Sequence, residues 1–153
     1  MDRRHALHVL GGALASAAAF SSTPTLAATA LALPLYAPAN LAARIADVTS
    51  GKLAVVHVGR ASLFRGQHIP GSSHAGDAST PAGRESLLAL LRALPSTMPT
   101  ILYCGCCPLD HCAFIRPAEE AARASGRAKT FVLDLATNFD RDWVAKGYPV
   151  TRG

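Results

Sequence analysis

Cysteine is missing from all but one short stretch of this 153-residue chain: the four cysteines all fall at positions 104–112. That distribution excludes a disulfide framework spread over the whole fold, which would place cysteines in several elements. Aromatic residues are scarce at 6%, with one Trp, three Tyr and five Phe. Trp143, Phe139 and Tyr148 suit a core better than a substrate platform. Charged residues make up only 16% against 50% hydrophobic, which excludes a disordered, strongly charged chain. Cations outnumber anions 15 to 10, for a formal net charge of +5. Apart from Arg3-Arg4 they stand singly, and no basic stripe interleaves with aromatics, so a nucleic-acid partner is not expected. A surface that favours small anions is. Internal repeats and low-complexity segments are lacking after the first thirty residues.

No apolar run reaches the roughly twenty residues needed to cross a bilayer. The longest, Ala6 to Phe20, follows the charged start Met1-Asp2-Arg3-Arg4 and ends in Ser21-Ser22-Thr23-Pro24. Small-residue exits follow at Thr25-Leu26-Ala27 and Thr29-Ala30. A cationic start, a short apolar core and a small-residue exit describe a secretory signal peptide over residues 1–30. The paired arginines suggest a twin-arginine leader. The expectation is an exported, periplasmic protein with no stable membrane span once the leader is cleaved. Residues 31–40, with Pro34 and Pro38 among small residues, read as a linker, and 41–153 as one domain.

Within that domain, Leu41, Ile45 and Val48 are spaced for one helix face, with Asn40 as N-cap. Residues 53–58 (LAVVHV), 100–103 (TILY) and 130–135 (TFVLDL) are short β-branched or apolar runs suited to buried parallel strands. Residues 60–65 allow one helical turn, and 68–74 form a turn leading to a short extended segment. Leu87, Leu88, Leu90, Leu91 and Leu94 give residues 81–94 a broad apolar helix face, with Pro81 near its start and Pro95 past its end. Pro117 fits the first position of a helix over 117–124. A last helix covers 139–146, stopped by Gly147 and Pro149. This alternation predicts an α/β domain with a largely parallel sheet.

The stretch Tyr103-Cys104-Gly105-Cys106-Cys107-Pro108-Leu109-Asp110-His111-Cys112 carries the chemistry. A cysteine at the carboxyl end of a buried strand, with a helix start ahead of it, sits where open α/β sheets bind ligands. Loop amides and the helix dipole favour an anion there. They lower a thiol pKa and stabilise a thiolate or persulfide. Counting from the strand selects Cys104 as the reactive residue; counting back from the helix selects Cys112.

The chain resembles the rhodanese family of sulfurtransferases over about residues 53–150. The resemblance rests on LAVVHVGR (53–60), on Phe64-Arg65-Gly66-Gln67-His68-Ile69-Pro70-Gly71, on the strand and cysteine ILYC (101–104), and on Asp142-Trp143-Val144-Ala145-Lys146-Gly147-Tyr148-Pro149-Val150. It implies a three-layer domain with a mainly parallel central sheet flanked by helices. It also implies an enzyme that moves sulfane sulfur from a donor such as thiosulfate to a thiol or cyanide through a persulfide on Cys104. Cys106, Cys107 and Cys112 are then resolving residues or alternative nucleophiles, and Arg116, Gly105 and Arg60 bind the donor anion. The partner expected is a small sulfur-containing anion or thiol, with no cofactor.

The loop departs from the family's usual C-x-x-G-x-R turn: it is longer, has no internal arginine and has three further thiols. His57 stands where the family usually has Asp. An alternative is therefore a non-catalytic module whose four cysteines hold zinc or copper, or cycle between thiol and disulfide. Two disulfides that staple the loop are a third reading, although neighbouring Cys106 and Cys107 rarely bridge each other. A cysteine phosphatase would need C-x5-R, which Cys104, Cys106 and Cys107 lack. His68 reads as a turn-fixing residue and His57 as a core histidine.

Overall fold

A computed structural model of the chain describes residues 31–153; the leader expected over 1–30 lies outside the described residues. Five parallel strands form the sheet, in the order β1-β5-β4-β2-β3. They are β1 (Leu35–Tyr36), β2 (Ala54–His57), β3 (Ser73–His74), β4 (Thr100–Tyr103) and β5 (Thr130–Leu133). The three strands expected from the sequence form the centre, and each is buried because helices cover both sheet faces.

Side-chain alternation divides the core. Val56, Val58, Leu102, Cys104 and Val132 face one layer, where they meet Leu87 and Leu91 of α4 (Pro81–Ala93) and Ile115, Ala118 and Ala122 of α5 (Ile115–Ala124). Leu53, Val55, Ile101, Tyr103 and Leu133 face the other. There they pack on Leu41 of α1 (Pro38–Ala42), Val48 of α2 (Ile45–Thr49), Phe139 of α6 (Phe139–Asp142) and Trp143. A helix, α3 (Ala61–Gly66), follows β2. Each fully buried leucine is worth roughly 1.5–3 kcal/mol of transfer free energy. The expected three-layer α/β/α architecture is therefore present.

Four local details differ from the sequence expectation. Part of the expected linker is built into the sheet: Leu35 and Tyr36 pair with Val132 and Leu133 of β5. The single helix expected over 41–48 starts at Pro38 and breaks at Arg44 (φ −113°, ψ 19°). Ala37, not Asn40, precedes its first turn, where a proline is tolerated because those amides have no intrahelical acceptor. The helix after the cysteine loop begins at Ile115 rather than Pro117. Pro117 is its third residue, a position whose N–H would also lack an acceptor. The last expected helix stops at Asp142 and resumes as a 3-10 turn over Val144–Lys146. The break lets Trp143 bury its ring and donate Nε1–H to the Pro149 carbonyl at 2.8 Å.

The GQHIPG segment closes against the C-terminal tail. His68 and Thr151 exchange backbone hydrogen bonds of 2.9 and 2.8 Å, and His68 Nδ1–H donates to the Phe64 carbonyl at 2.8 Å. His68 thus holds the turn, as its position suggests. Among the described residues no helix is long and apolar enough to cross a membrane.

Candidate active site

Alternation along β4 fixes where Cys104 points. Tyr103 faces the Trp143 side, so Cys104 faces α5. Two glycines make room for this. An added Cβ on Gly59, just after β2, would stand 2.6 Å from the Cys104 sulfur, so only glycine fits beside that thiol. Gly105 has φ +79°, and an added Cβ would stand 2.6 Å from Phe139 Cβ. Its carbonyl accepts the Phe139 N–H at 2.9 Å, which ties the loop to the start of α6. Gly105 therefore contributes close approach as well as lining a small recess beside Cys104.

From Gly105 the chain turns back through a 3-10 turn at Leu109–His111 and delivers Cys112 to the start of α5. The sulfurs of Cys104, Cys106 and Cys112 all lie within 4.8 Å of one another. Cys106 Sγ is 3.7 Å from Cys112 Sγ and 3.0 Å from Cys107 Sγ. None of the four is joined in a disulfide. Cys104 and Cys112 form the buried inner pair, while Cys106 and Cys107 are half-buried and face solvent.

One cysteine of the cluster sits where its ionised form is favoured. Cys112 is pushed down to about 5, first by the Cys104 S–H bond to its sulfur, then by the backbone N–H groups of Phe114 and Ile115. Burial opposes the shift and does not overcome it. Those amides are among the first of α5, where no intrahelical acceptor exists and the helix dipole adds to the attraction. Cys104 is pushed up by the same shared proton and by burial. The inner pair shares a proton, and the Phe114 and Ile115 amides favour the negative charge on the Cys112 side. Cys107 is pushed up to about 12, by burial first and then by Cys106.

The histidine in β2 does not supply a counter-charge. His57 is lowered to about 4, first by burial and then by the neighbouring His74, so it is neutral at physiological pH. Its Nε2–H donates to the Cys104 carbonyl at 3.0 Å. Its Nδ1 is buried without a hydrogen-bond partner. His57 packs against the rings of Phe64, His74 and Tyr103, with centroids 5.1–5.5 Å away. His74 donates Nε2–H to the Gly59 carbonyl at 2.9 Å. The reading of His57 as a core histidine agrees with these contacts, and it also fixes the backbone of the reactive loop.

A cleft of about 420 Å³ opens onto the cluster from outside, lined by Arg60, Leu63, Cys106, Cys107, His111 and Phe114 among others. Arg60 is exposed there, placing a fixed positive charge beside the outer thiols. Arg116 lies instead in the first turn of α5, half-buried. Of the expected site residues, the four cysteines, Gly105 and Arg60 share one corner of the molecule. Sequence reasoning missed two contributions. Gly59 had a visible signal, a glycine at the end of a buried strand. The Phe114 and Ile115 amides had none, because a backbone donor leaves no mark on residue type.

No family model matches the sequence, and no curated protein matches it. Solved structures do. The solution structure of a rhodanese-like domain from an Anabaena protein aligns with TM-score 0.53 and 18% identity, covering 78% of this chain and 80% of its own. A crystal structure of a Bacillus halodurans protein aligns with TM-score 0.57 and 18% identity, covering 78% and 77%. A crystal structure of an Anabaena protein aligns with TM-score 0.53 and 18% identity, covering 76% and 91%. The domain has the rhodanese-like fold, as the sequence motifs imply.

Proposed function

We propose, on the premise of that fold, that the chain is a rhodanese-like sulfurtransferase working outside the cytoplasm, with Cys112 as its nucleophile. The observation that carries the assignment is the place of Cys112 at the start of α5, where the Phe114 and Ile115 amides and the neighbouring Cys104 thiol all favour its ionised form. This reverses the weight that strand position alone gives to Cys104. Cys104 acts instead as the proton-holding neighbour that keeps Cys112 ionised.

The chemistry is redox-neutral. A small donor dianion such as thiosulfate enters the cleft with its oxyanion toward Arg60. The Cys112 thiolate attacks the outer sulfur, the S–S bond breaks, and sulfite leaves with the bonding electrons. The persulfide anion keeps the amides that held the thiolate. An acceptor thiolate or cyanide then takes the outer sulfur, and Cys112 leaves as thiolate. Where no acceptor arrives, Cys106, at 3.7 Å, resolves the persulfide: it attacks the inner sulfur, forms a Cys106–Cys112 disulfide and releases hydrosulfide.

Reduced, chelator-treated protein mixed with thiosulfate should release one sulfite per chain and gain one sulfur, about 32 Da, by intact mass. Cys104→Ala should retain the reaction at a lower rate, and Cys112→Ala should lose it. Sulfite release that survives in Cys112→Ala and vanishes in Cys104→Ala returns the nucleophile to Cys104. No release with thiosulfate or polysulfide removes the sulfurtransferase reading.

A further inference from the structure

Beyond sulfur transfer, we infer that Cys104, Cys106 and Cys112 form a three-thiolate site for one copper(I) ion, with Cys107 outside the coordination sphere.

Geometry separates the three sulfurs from the fourth. A trigonal ion at about 2.3 Å from each thiolate needs its sulfurs about 4.0 Å apart, and a tetrahedral one about 3.8 Å. Cys104, Cys106 and Cys112 are already within 4.8 Å of one another, with one pair at 3.7 Å. Cys107 sits 3.0 Å from Cys106, too close for both sulfurs to bind one ion without moving apart. The backbone has already been folded to converge these donors: β4 supplies Cys104, the loop Cys106 and the approach to α5 Cys112.

The choice of ion follows from donor number and type. Soft thiolates select copper(I) or zinc. Zinc in a structural site takes four ligands. Among the described residues, no histidine or carboxylate joins the three sulfurs as a fourth donor. Copper(I) is satisfied by three. The site is also largely dry, since Cys104 and Cys112 are 3% and 6% exposed. The Phe114 and Ile115 amides offset part of the net negative charge that a copper–tris-thiolate unit carries. On the side of β2 the Cys104 sulfur packs against Gly59, where an added Cβ would stand 2.6 Å from it.

Copper bound there withdraws the Cys112 thiolate, so the ion and a sulfur donor compete for one position. The binding measurement is independent of the sulfur chemistry because it contains no donor. Reduced, metal-free full-length protein is titrated anaerobically with copper(I) as its bicinchoninate complex, and the loaded protein is examined by X-ray absorption. One copper per chain should transfer, bound by three sulfurs at about 2.2–2.3 Å. Cys107→Ser should keep the affinity. Cys104→Ser, Cys106→Ser and Cys112→Ser should each lose roughly 100-fold or more, the upper end of what outer-shell changes alone cost. No transfer from bicinchoninate, two-sulfur coordination, or an equal loss in Cys107→Ser overturns the site. So does zinc bound by all four cysteines in preference to copper. The absorption spectrum of the unsubstituted chain decides coordination even if a variant misfolds.

Discussion

At the scale of single residues, a proton shared by Cys104 and Cys112 governs the charge of the inner pair. Cys112 gains more from the Cys104 S–H than from either amide, so its acidity depends on a neighbour that itself stays protonated. Alkylation by iodoacetamide should follow thiolate formation, with a midpoint well below that of an ordinary thiol in the native chain. Cys104→Ala removes the largest contribution and should raise that midpoint by about one unit or more, while Cys104→Ser keeps a donor and should move it less. Gly59→Ala should act in the same direction, because its methyl group would stand 2.6 Å from the Cys104 sulfur and displace it. An unchanged profile in both Cys104→Ala and Gly59→Ala rejects the shared-proton account.

At the scale of elements, the site depends on where β4 and α5 end and begin. Arg127, in the turn between α5 and β5, closes the end of α4. Its Nη1 donates to the Leu91 and Leu94 carbonyls at 2.9 and 3.2 Å, and its Nη2 to Pro95 and Met98 at 2.8 and 3.1 Å. Those are carbonyls with no helical partner, at the negative end of the helix dipole. The same guanidinium fixes the chain entering β4, and so the strand that presents Cys104. Arg127→Met keeps part of the apolar stem and loses these bonds; it should cost about 2–4 kcal/mol in a denaturant melt, with the sulfite release proposed above retained in the folded fraction. A cost under about 0.5 kcal/mol would show that water replaces the guanidinium. The early start of α5 matters equally. Reading Pro117 as the first helical residue leaves Cys112 well before the helix, whereas the start at Ile115 brings two free amides onto its sulfur.

At the scale of the whole molecule, burial of ionisable groups makes the fold acid-sensitive. His57 is 2% exposed and lowered to about 4 from an ordinary 6.5. Above pH 6.5 both folded and unfolded chains hold it neutral, so it contributes nothing to the pH dependence. Between 6.5 and 4 only the unfolded chain takes up the proton, and stability falls as the pH drops. The loss from this group amounts to about 3 kcal/mol by pH 4, at about 1.4 kcal/mol per unit. Cys112 adds to the same trend: its folded value is depressed, so its contribution is present above the unfolded thiol value and is lost as pH falls through about 5. Denaturant melts at pH 7 and pH 4.5 should therefore show a smaller loss in His57→Phe than in the native chain. Equal losses would mean that His57 protonates freely in the folded state.

The sequence by itself determined the architecture. Short β-branched runs alternating with leucine-faced helices leave few ways to bury their surfaces, and AVVH, TILY and TFVL became the three central strands. It also confined the chemistry to residues 104–112, because no other cysteine exists. The edge strand at Leu35–Tyr36 was hidden, since a two-residue strand carries no periodicity and pairs only because β5 is there to receive it. Which sulfur bears the charge was also beyond the sequence. Cys104 and Cys112 are eight positions apart, and each is a plausible thiolate by its local motif. Their ranking depends on a hydrogen bond between them and on backbone amides at the helix start. Both arise only when β4 and α5 pack against each other, which also crowds three of the four sulfurs into one small volume.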